Sequence, residues 1–382
     1  MVNKAKSMAI KKELEENRQN SRMLWKVLKK LNPTNNAKPM PHGLKPSRDQ
    51  ANKYNKHFVS IASSIIDENQ LINPDLSHVE NFVNTRKPST SNFEIPLLDT
   101  TTLDKLIESL PTNVATGLDG ISAPLLKLIS PAILESLTKV LNCSIQSGIC
   151  PSALKLARVT PVHKSGSASD PNNFRPISVL PIISKLLERH ICTQLMLYLR
   201  SFNLIVSTQS GFRPHHSTES ILIKMTDDWL EAMDQGLYTG AIYLDLRKAF
   251  DVVNHDLLIA KLRIYGCSPS SLIWFKSYLT DRRQCVNLTG TVSDTEVLSS
   301  GIPQGSILGP VFFLLFINDL PLSWESKNGL FADDATFYVS ATTLTDVQLQ
   351  LQQDLNSTAT WTKEHGMVAH PDKTKYMIIG TG

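Results

Sequence analysis

The sequence predicts an α+β fold, and two segments carry that prediction. Residues 240–244 form a short apolar run that ends at Asp245, which is typical of a buried strand. Residues 328–339 contain two short runs of strand-forming residues, with the adjacent carboxylates Asp333 and Asp334 between them. This arrangement predicts a hairpin with an acidic turn. The rest of the chain mixes helical and strand patterns and has no internal repeat.

Residues 1–97 are predicted to form a helical, basic N-terminal extension with linkers. The pattern predicts one helix over residues 1–31 and a second that begins at the capping box of Ser47 to Gln50. Proline- and serine-containing stretches at 32–46 and 84–96 predict linkers. The second helix would bury six apolar positions, which are Ala51, Tyr54, Phe58, Ile61, Ala62 and Ile65.

Residues 1–31 also hold an uneven charge. The whole chain has 39 Lys or Arg against 35 Asp or Glu, a net charge of +4, and this segment alone exceeds that surplus. Such a helix either contacts phosphates or presents a solvated face, and both interpretations stay open. Its basic residues are Lys4, Lys6, Lys11, Lys12, Arg18, Arg22, Lys26, Lys29 and Lys30, and its acidic residues are Glu13, Glu15 and Glu16.

The remaining elements follow in order along the chain. A strand is predicted over Leu156 to His163, and a turn at Asp170-Pro171-Asn172. From residue 240 onward the order is strand, helices, hairpin, helix and hairpin. Helices before residue 240 are predicted near 101–110, 131–147, 179–200 and 217–235.

Composition and targeting signals narrow the class of protein. The chain has 382 residues, of which 41% are apolar, enough for a sizeable core. Its five cysteines have no C-x-x-C spacing, so neither a zinc site nor a disulfide framework is expected. The first residues lack the apolar core expected of a signal peptide, and no run approaches the roughly 18 apolar residues of a membrane span. We therefore expect no membrane partner and a reducing compartment.

The Asp333-Asp334 pair predicts either a metal site or plain turn chemistry. Like charges a few ångströms apart raise a pKa unless a cation compensates, whereas an exposed pair in a hairpin turn is unremarkable. Asp245 adds a third acid at a strand end, and two clamped divalent ions need about three carboxylates. The Gly- and Pro-containing loop at 300–310 lets backbone approach a ligand. Together these segments favour the metal site.

Seven motifs follow one another between residues 98 and 382. In this order and at this spacing they resemble the motifs of non-LTR (LINE-type, jockey-like) retrotransposon reverse transcriptases. The motifs are Thr116-Gly117-Leu118-Asp119-Gly120-Ile121, Asn173-Phe174-Arg175-Pro176, Gln209-Ser210-Gly211-Phe212-Arg213, Tyr243-Leu244-Asp245 with Lys248-Ala249-Phe250-Asp251, Gly301-Ile302-Pro303-Gln304-Gly305-Ser306, Phe331-Ala332-Asp333-Asp334 and Pro371-Asp372-Lys373-Thr374-Lys375.

The resemblance implies a right-hand polymerase fold. Residues 98–239 would be a fingers-like region and residues 240–382 a palm-like catalytic region, with the thumb and the endonuclease of the full-length element protein missing from this chain. The implied partners are an RNA template, a DNA primer and dNTPs. The implied cofactor is a pair of Mg²⁺ ions, for which Mn²⁺ would substitute. The implied location is the nucleus and cytoplasm of a eukaryotic host.

The resemblance also implies roles for single residues. Asp245 and Asp333 would bind metal, with Asp334 as the weaker third ligand. Phe250 would exclude a ribose 2′-hydroxyl, although an aromatic after a buried strand also suits core packing. The nucleotide would lie beside Gln304, where a simple turn is the plainer alternative. Gly305 would let the backbone come close to the nucleotide.

Three basic residues complete the implied site. Arg175 offers a bidentate fork to a triphosphate, and Lys164 a point charge. Lys373 resembles the lysine proposed to protonate the pyrophosphate leaving group, and a surface lysine is its alternative. Two functions stay open for the whole chain. One is an RNA-directed DNA polymerase, and the other is an inactive remnant that acts at most as a nucleic-acid-binding module.

Overall fold

The computed structural model describes residues 47–67, 73–167 and 169–380. The predicted basic helix over 1–31 and the linker at 32–46 lie outside these residues. The described chain divides into two compact units. Unit 1 comprises Pro96–His190, Asp281–Val297 and the described residues up to Lys56, and unit 2 comprises His57–Ile95, Ile191–Thr280 and the described residues from Leu298 onward. The division into fingers-like and palm-like regions at residue 240 stays a prediction.

The described chain contains both helices and mainly antiparallel sheets, which agrees with the predicted α+β class. The helices are α1 (Arg48–Asp67), α2 (Ser77–Asn84), α3 (Thr100–Glu108), α4 (Ala123–Ser147), α5 (Ser152–Lys155), α6 (Ile182–Ser201), α7 (Thr218–Asp234), α8 (His255–Ile264), α9 (Pro269–Leu279), α10 (Gly309–Ile317) and α11 (Leu344–His365). The strands are β1 (Leu156–His163), β2 (Phe174–Val179), β3 (Tyr238–Leu244), β4 (Arg282–Leu288), β5 (Thr291–Val292), β6 (Glu296–Leu298), β7 (Lys327–Phe331), β8 (Asp334–Ala341) and β9 (Lys375–Ile379).

Helix α1 follows the predicted capping signal. The Ser47 hydroxyl accepts a hydrogen bond from the Gln50 backbone N–H at 3.1 Å, which satisfies a free donor of the first turn. All six predicted apolar positions of this helix are buried. The segment 84–96, which was predicted to be a linker, is partly packed into the core, because its residues Phe93 and Ile95 are buried. Phe93 also exchanges backbone hydrogen bonds with Gly266 and Ser268, so this segment is fixed to unit 2.

Helix α4 is longer than predicted. It begins at Ala123, where the Ser122 side chain caps it, and Pro131 lies inside it. A proline removes one N–H donor and usually stops a helix, which is why the pattern predicted a start near 131. With 25 residues α4 is long and apolar enough to span a membrane by length and mean hydropathy, although Lys127, Glu135 and Lys139 interrupt its apolar residues. A single helix of this kind is weak evidence for a membrane span, because core helices of other proteins have the same length and composition. Helix α4 packs against α3.

Unit 1 contains the first sheet, whose strand order is β2-β1-β4-β5, with β6 paired to β4. Strand β1 has the predicted bounds and runs antiparallel to β2. It also runs parallel to β4, with Leu156 opposite Arg283. This pairing joins segments more than a hundred residues apart in the sequence, so the compact units cannot be continuous stretches of chain.

Unit 2 contains the second sheet, with strand order β7-β8-β3-β9 and antiparallel pairing throughout. Neighbouring residues of β3 face opposite sides of this sheet. Ala241 packs with Met225 of α7, while a side chain at Gly240 would meet Val347 of α11. The sheet therefore lies between α7 and α11. This double cover explains why residues 240–244 read as a continuous apolar run.

Candidate active site

The β7–β8 hairpin carries two of the predicted acids. Phe331 and Asp334 form its last register pair, so Ala332 and Asp333 are the turn residues and Asp334 begins β8. Ala332 is buried and has φ +58°, a left-handed conformation that residues other than glycine seldom adopt. Asp333 is half-buried and Asp334 is exposed. The predicted acidic hairpin is thus present.

The third acid comes from β3, which pairs with β8. Leu244 and Ala335 form the last register pair at this end of the two strands. Asp245 and Asp334 each lie one residue beyond that pair. Residues opposite one another in an antiparallel sheet have Cβ atoms about 4.5–5.5 Å apart, so this register brings the predicted acids to one end of the sheet.

The segment before β9 lines the Asp245 side of this site. The His370 backbone N–H donates to the Asp245 carbonyl oxygen at 2.7 Å. Lys373 follows, and its Nζ lies 3.6 Å from Asp245 Oδ2. Its side chain is 59% exposed, so the ammonium keeps access to solvent. Lys373 therefore lies next to a predicted metal ligand, as the resemblance implied, while its role as a proton donor stays a prediction.

Electrostatic repulsion links the three acids. The pKa of Asp334 is raised above its ordinary value, first because the carboxyl loses hydration and then because Asp333 and Asp245 repel its charge. Lys373 opposes this by lowering the same pKa. Asp334 is largely exposed, so the contribution specific to this site is the repulsion from the neighbouring carboxylates of Asp333 and Asp245. Three negative charges meet here with one nearby lysine.

The carboxylate oxygens of the three acids are suitable ligands for a divalent metal, although they do not form a complete coordination site. Within 47–67, 73–167 and 169–380, no three His, Cys, Asp or Glu side chains are grouped as a metal site. Asp245, Asp333 and Asp334 thus lie at one end of the sheet and repel one another electrostatically, but their carboxylates are not grouped closely enough to form a complete metal site. Hard cations such as Mg²⁺ prefer carboxylate oxygens. The repulsion at Asp334 is also what a bound cation would relieve.

The loop before α10 approaches the segment after β3. Gly301 has φ +81°, and a Cβ there would lie 2.5 Å from the Asp251 carbonyl oxygen. Glycine is therefore needed because this chain's own backbone comes close. Gln304 donates from Nε2 to both carboxylate oxygens of Asp251, at 2.9 and 3.0 Å. Gly305 has φ +114°, which also favours glycine.

Phe250 has neighbours that suit both of its predicted roles. Its ring stacks on Phe313 with centroids 4.4 Å apart and an interplanar angle of 16°. The Phe212 ring meets it edge to face at 6.3 Å. Phe250 is half-buried, whereas Phe313 is fully buried. The ring is thus supported from one side and keeps part of its surface open, and its role in sugar selection stays a prediction.

Lys164 and Arg175 belong to unit 1 and lie at the end of the β1–β2 hairpin. Arg175 is opposite Val162 in the register and is exposed. The Lys164 backbone N–H donates to the Asn173 carbonyl oxygen at 2.8 Å, and its residue is also exposed. The two side chains therefore share one hairpin end. Their contact with a triphosphate stays a prediction.

The comparison with known proteins decides the family. Residues 162–379, more than half of the chain, match the family described as reverse transcriptase (RNA-dependent DNA polymerase). The chain belongs to the reverse transcriptase family. The predicted acids, the Gln304 loop and Lys373 all lie inside the matched residues.

Several relatives of this chain are proteins of mobile elements. The chain is 32% identical to the probable RNA-directed DNA polymerase from transposon BS of Drosophila melanogaster, over 70% of this chain and 30% of that protein. It is 29% identical to the RNA-directed DNA polymerase from mobile element jockey of the same species, over 74% and 32% of the two chains. These matches confirm the non-LTR, jockey-like resemblance. The chain spans about a third of the length of these relatives.

The sequence alone did not reveal two supporting residues of this site. Asp251 was read only as part of a motif, yet it holds the Gln304 side chain. Gln209 was likewise one letter of a motif, yet its side chain bonds the backbone of Ala332 beside the acidic turn. The motif order was the only available signal for either, because each partner lies far away in the sequence.

Proposed function

We propose that this chain is the polymerising part of an RNA-directed DNA polymerase from a non-LTR retrotransposon. In this proposal a primer 3′-hydroxyl attacks the α-phosphate of a dNTP, the new phosphodiester bond forms, and pyrophosphate leaves. An RNA template and a DNA primer are the partners. The nucleus and cytoplasm of a eukaryotic host are the proposed location. The names of the jockey and BS relatives support the activity.

One observation carries the proposal. The β3–β8 register and the β7–β8 turn gather Asp245, Asp333 and Asp334 at one sheet end within the matched family region. Loss of hydration, and then the charges of Asp333 and Asp245, raise the pKa of Asp334, and a bound cation would offset that repulsion. Nucleotidyl transfer with divalent ions would supply such a cation.

These acids would hold two Mg²⁺ ions, or Mn²⁺ in their place, with Asp245 and Asp333 as the principal ligands and Asp334 as the third. When bound, the ions would supply charge neutralisation for the attacking and leaving oxygens. Lys373 would carry a proton close to the leaving group, because its ammonium is exposed and adjacent to Asp245.

Other residues of this chain would bind and select the nucleotide. Arg175 and Lys164 are two exposed cations at one hairpin end, which suits the spread charge of a triphosphate. Gln304 and the Gly305 backbone would lie beside the sugar. The open surface of Phe250 would exclude a 2′-hydroxyl, because its ring is backed by Phe313 and cannot retreat.

Primer extension tests the proposal. The purified chain is incubated with poly(rA)/oligo(dT), dTTP and Mg²⁺, and extension is compared with Asp245→Asn and with no metal. We expect extension by the wild type alone. A folded wild-type chain that binds primer–template without extending it would overturn the polymerase and favour the inactive nucleic-acid-binding module.

A further inference from the structure

The side chain of Gln209 closes a ring of hydrogen bonds around the acidic turn. Its Oε1 accepts from the Ala332 N–H at 3.0 Å, and its Nε2 donates to the Ala332 carbonyl oxygen at 3.2 Å. Oε1 also accepts from the Gly211 N–H at 2.7 Å. Gln209 is only 2% exposed. One amide thus satisfies both polar groups of the residue that precedes Asp333.

The backbone on either side of Gln209 is fixed to the same hairpin. The Leu330 N–H donates to the Thr208 carbonyl oxygen at 2.9 Å, and the Ser210 N–H donates to the Leu330 carbonyl oxygen at 2.8 Å. Gly211 then lies against the turn so closely that a Cβ there would be 2.1 Å from the Ala332 nitrogen. No other residue fits at this position without moving the turn.

The turn needs such support. Ala332 has φ +58°, where an L-residue with a Cβ is disfavoured, and the two-residue turn that contains it must hold Asp333. The strand registers bring Asp245, Asp333 and Asp334 to one end of the sheet, and the mutual repulsion of like charges there favours a more open turn. The hydrogen bonds of Gln209 to the N–H and to the carbonyl oxygen of Ala332 oppose that opening.

We propose that Gln209 is a positioning residue that holds the Ala332-Asp333 turn in place so that Asp333 stays beside Asp245. This inference rests on the proposed polymerase function. Glutamine is the side chain of this length that offers a donor and an acceptor together. Glutamate would keep the acceptor and lose the donor, and methionine would lose both.

Two substitutions separate the parts of this role. Gln209→Met removes all three hydrogen bonds at nearly constant length. Gln209→Glu keeps the acceptors and adds a negative charge next to the acids. The matched control is Gln284→Met in unit 1, where a buried glutamine donates from Nε2 to Asn55 Oδ1 at 3.0 Å. All three variants lose buried amide bonds, so thermal unfolding reports the shared structural cost.

The activity arm uses single-turnover nucleotide addition. We expect Gln209→Met to lower the maximal rate about 100-fold, with the dNTP concentration for half-maximal rate changed less than about threefold, since misplaced groups cost rate more than binding. Gln284→Met should stay within about twofold of the wild-type rate. Gln209→Glu should also lower the maximal rate, because it loses the donor to the Ala332 carbonyl oxygen. Equal rate losses in Gln209→Met and Gln284→Met would overturn the inference.

An activity-independent arm keeps the inference apart from the function on which it rests. Amide hydrogen exchange is measured across residues 330–335 in the same variants. Faster exchange at Ala332 in Gln209→Met, and unchanged exchange in Gln284→Met, would support the positioning role even if the wild type adds no nucleotide. Wild-type protection of Ala332 in Gln209→Met would overturn it, whatever the activity.

Discussion

The Gln304 amide is oriented by Asp251, whose two carboxylate oxygens accept from Nε2 at 2.9 and 3.0 Å. An ionised carboxylate only accepts hydrogen bonds, so Nε2 must face Asp251 and Oε1 must face away from it. Gly301 reinforces the pairing, because its backbone lies against Asp251. Gln304 therefore presents an acceptor, which suits a hydroxyl group on an incoming sugar.

Asp251→Asn should weaken nucleotide binding. An asparagine can donate as well as accept, so the Gln304 amide would be free to turn over. We expect KM for dNTP to rise about three- to tenfold with kcat little changed, the loss of one net hydrogen bond. Asp256→Asn, at an exposed carboxylate paired with Lys276, is the control. A lowered kcat with unchanged KM would instead place Asp251 in the chemical step.

Asp245→Asn and Asp333→Asn should each abolish extension while preserving the fold, because both remove a carboxylate from the predicted metal site. Asp333→Asn should also raise the Tm of the metal-free chain slightly at pH 7, because loss of hydration and then repulsion by Asp333 raise the pKa of Asp334, and the substitution removes the repulsion. A raised folded pKa means that this repulsion destabilises the fold above the ordinary carboxyl pKa, so the gain should vanish at low pH.

Scanning calorimetry with and without Mg²⁺ checks this. The wild type should gain more Tm from Mg²⁺ than Asp333→Asn does. An extension rate near that of the wild type in either Asn variant would remove these acids from the metal site.

A buried ion pair in unit 2 should dominate the effect of mutations on its stability. Lys261 Nζ lies 2.6 Å from Asp319 Oδ1, and both side chains are almost fully buried. Breaking such a pair leaves a buried charge, so Asp319→Asn should cost about 3–5 kcal/mol. Removing the exposed Lys276–Asp256 pair by Lys276→Met should cost about 0–1 kcal/mol. Urea unfolding measures both, and similar losses would mean that the buried pair has another source of compensation.

His365 adds a pH dependence to this cluster. Burial, and then the charge of Lys261, lowers its pKa, and its Nε2 lies 3.3 Å from Asp319 Oδ2. A group with a lowered folded pKa gives stability that is present above its unfolded pKa of about 6.5 and is lost as pH falls. The free energy of unfolding should therefore drop between pH 7 and pH 5, and His365→Gln should flatten that slope. An identical slope in the variant would show that other groups set it.

Local sequence patterns predicted the elements that have one apolar face against the core and one polar face towards solvent. The strand pattern of β1 gave both of its bounds, and the capping signal of α1 gave its start, in agreement with the structure. The Pro131 signal misled, because tertiary packing accommodates a proline inside α4. The parallel pairing of β1 with β4 has no local signature, since it depends on a backbone ladder between distant segments.

The acids of the site were predictable, while their supports were not. Asp245 and Asp333 stand out because charge at a strand end is costly without a ligand. In the sequence Gln209 and Asp251 do not differ from other polar residues. Only the folded structure shows that they hydrogen-bond to Ala332 and Gln304. Their roles reside in hydrogen bonds to partners between 53 and 123 residues away.

Phe250→Ala should relax sugar selection. The ring rests on Phe313 at 4.4 Å, so it cannot turn inward to make room for a 2′-hydroxyl, and its removal opens that space. We expect the ratio of kcat/KM for dNTP to that for rNTP to fall about 10–200-fold, the range that a lost steric contact supplies. Phe313→Leu keeps the Phe250 ring and removes its support, so the same ratio should fall by less than in Phe250→Ala. An unchanged ratio in Phe250→Ala, with a lowered Tm, would assign Phe250 to core packing alone.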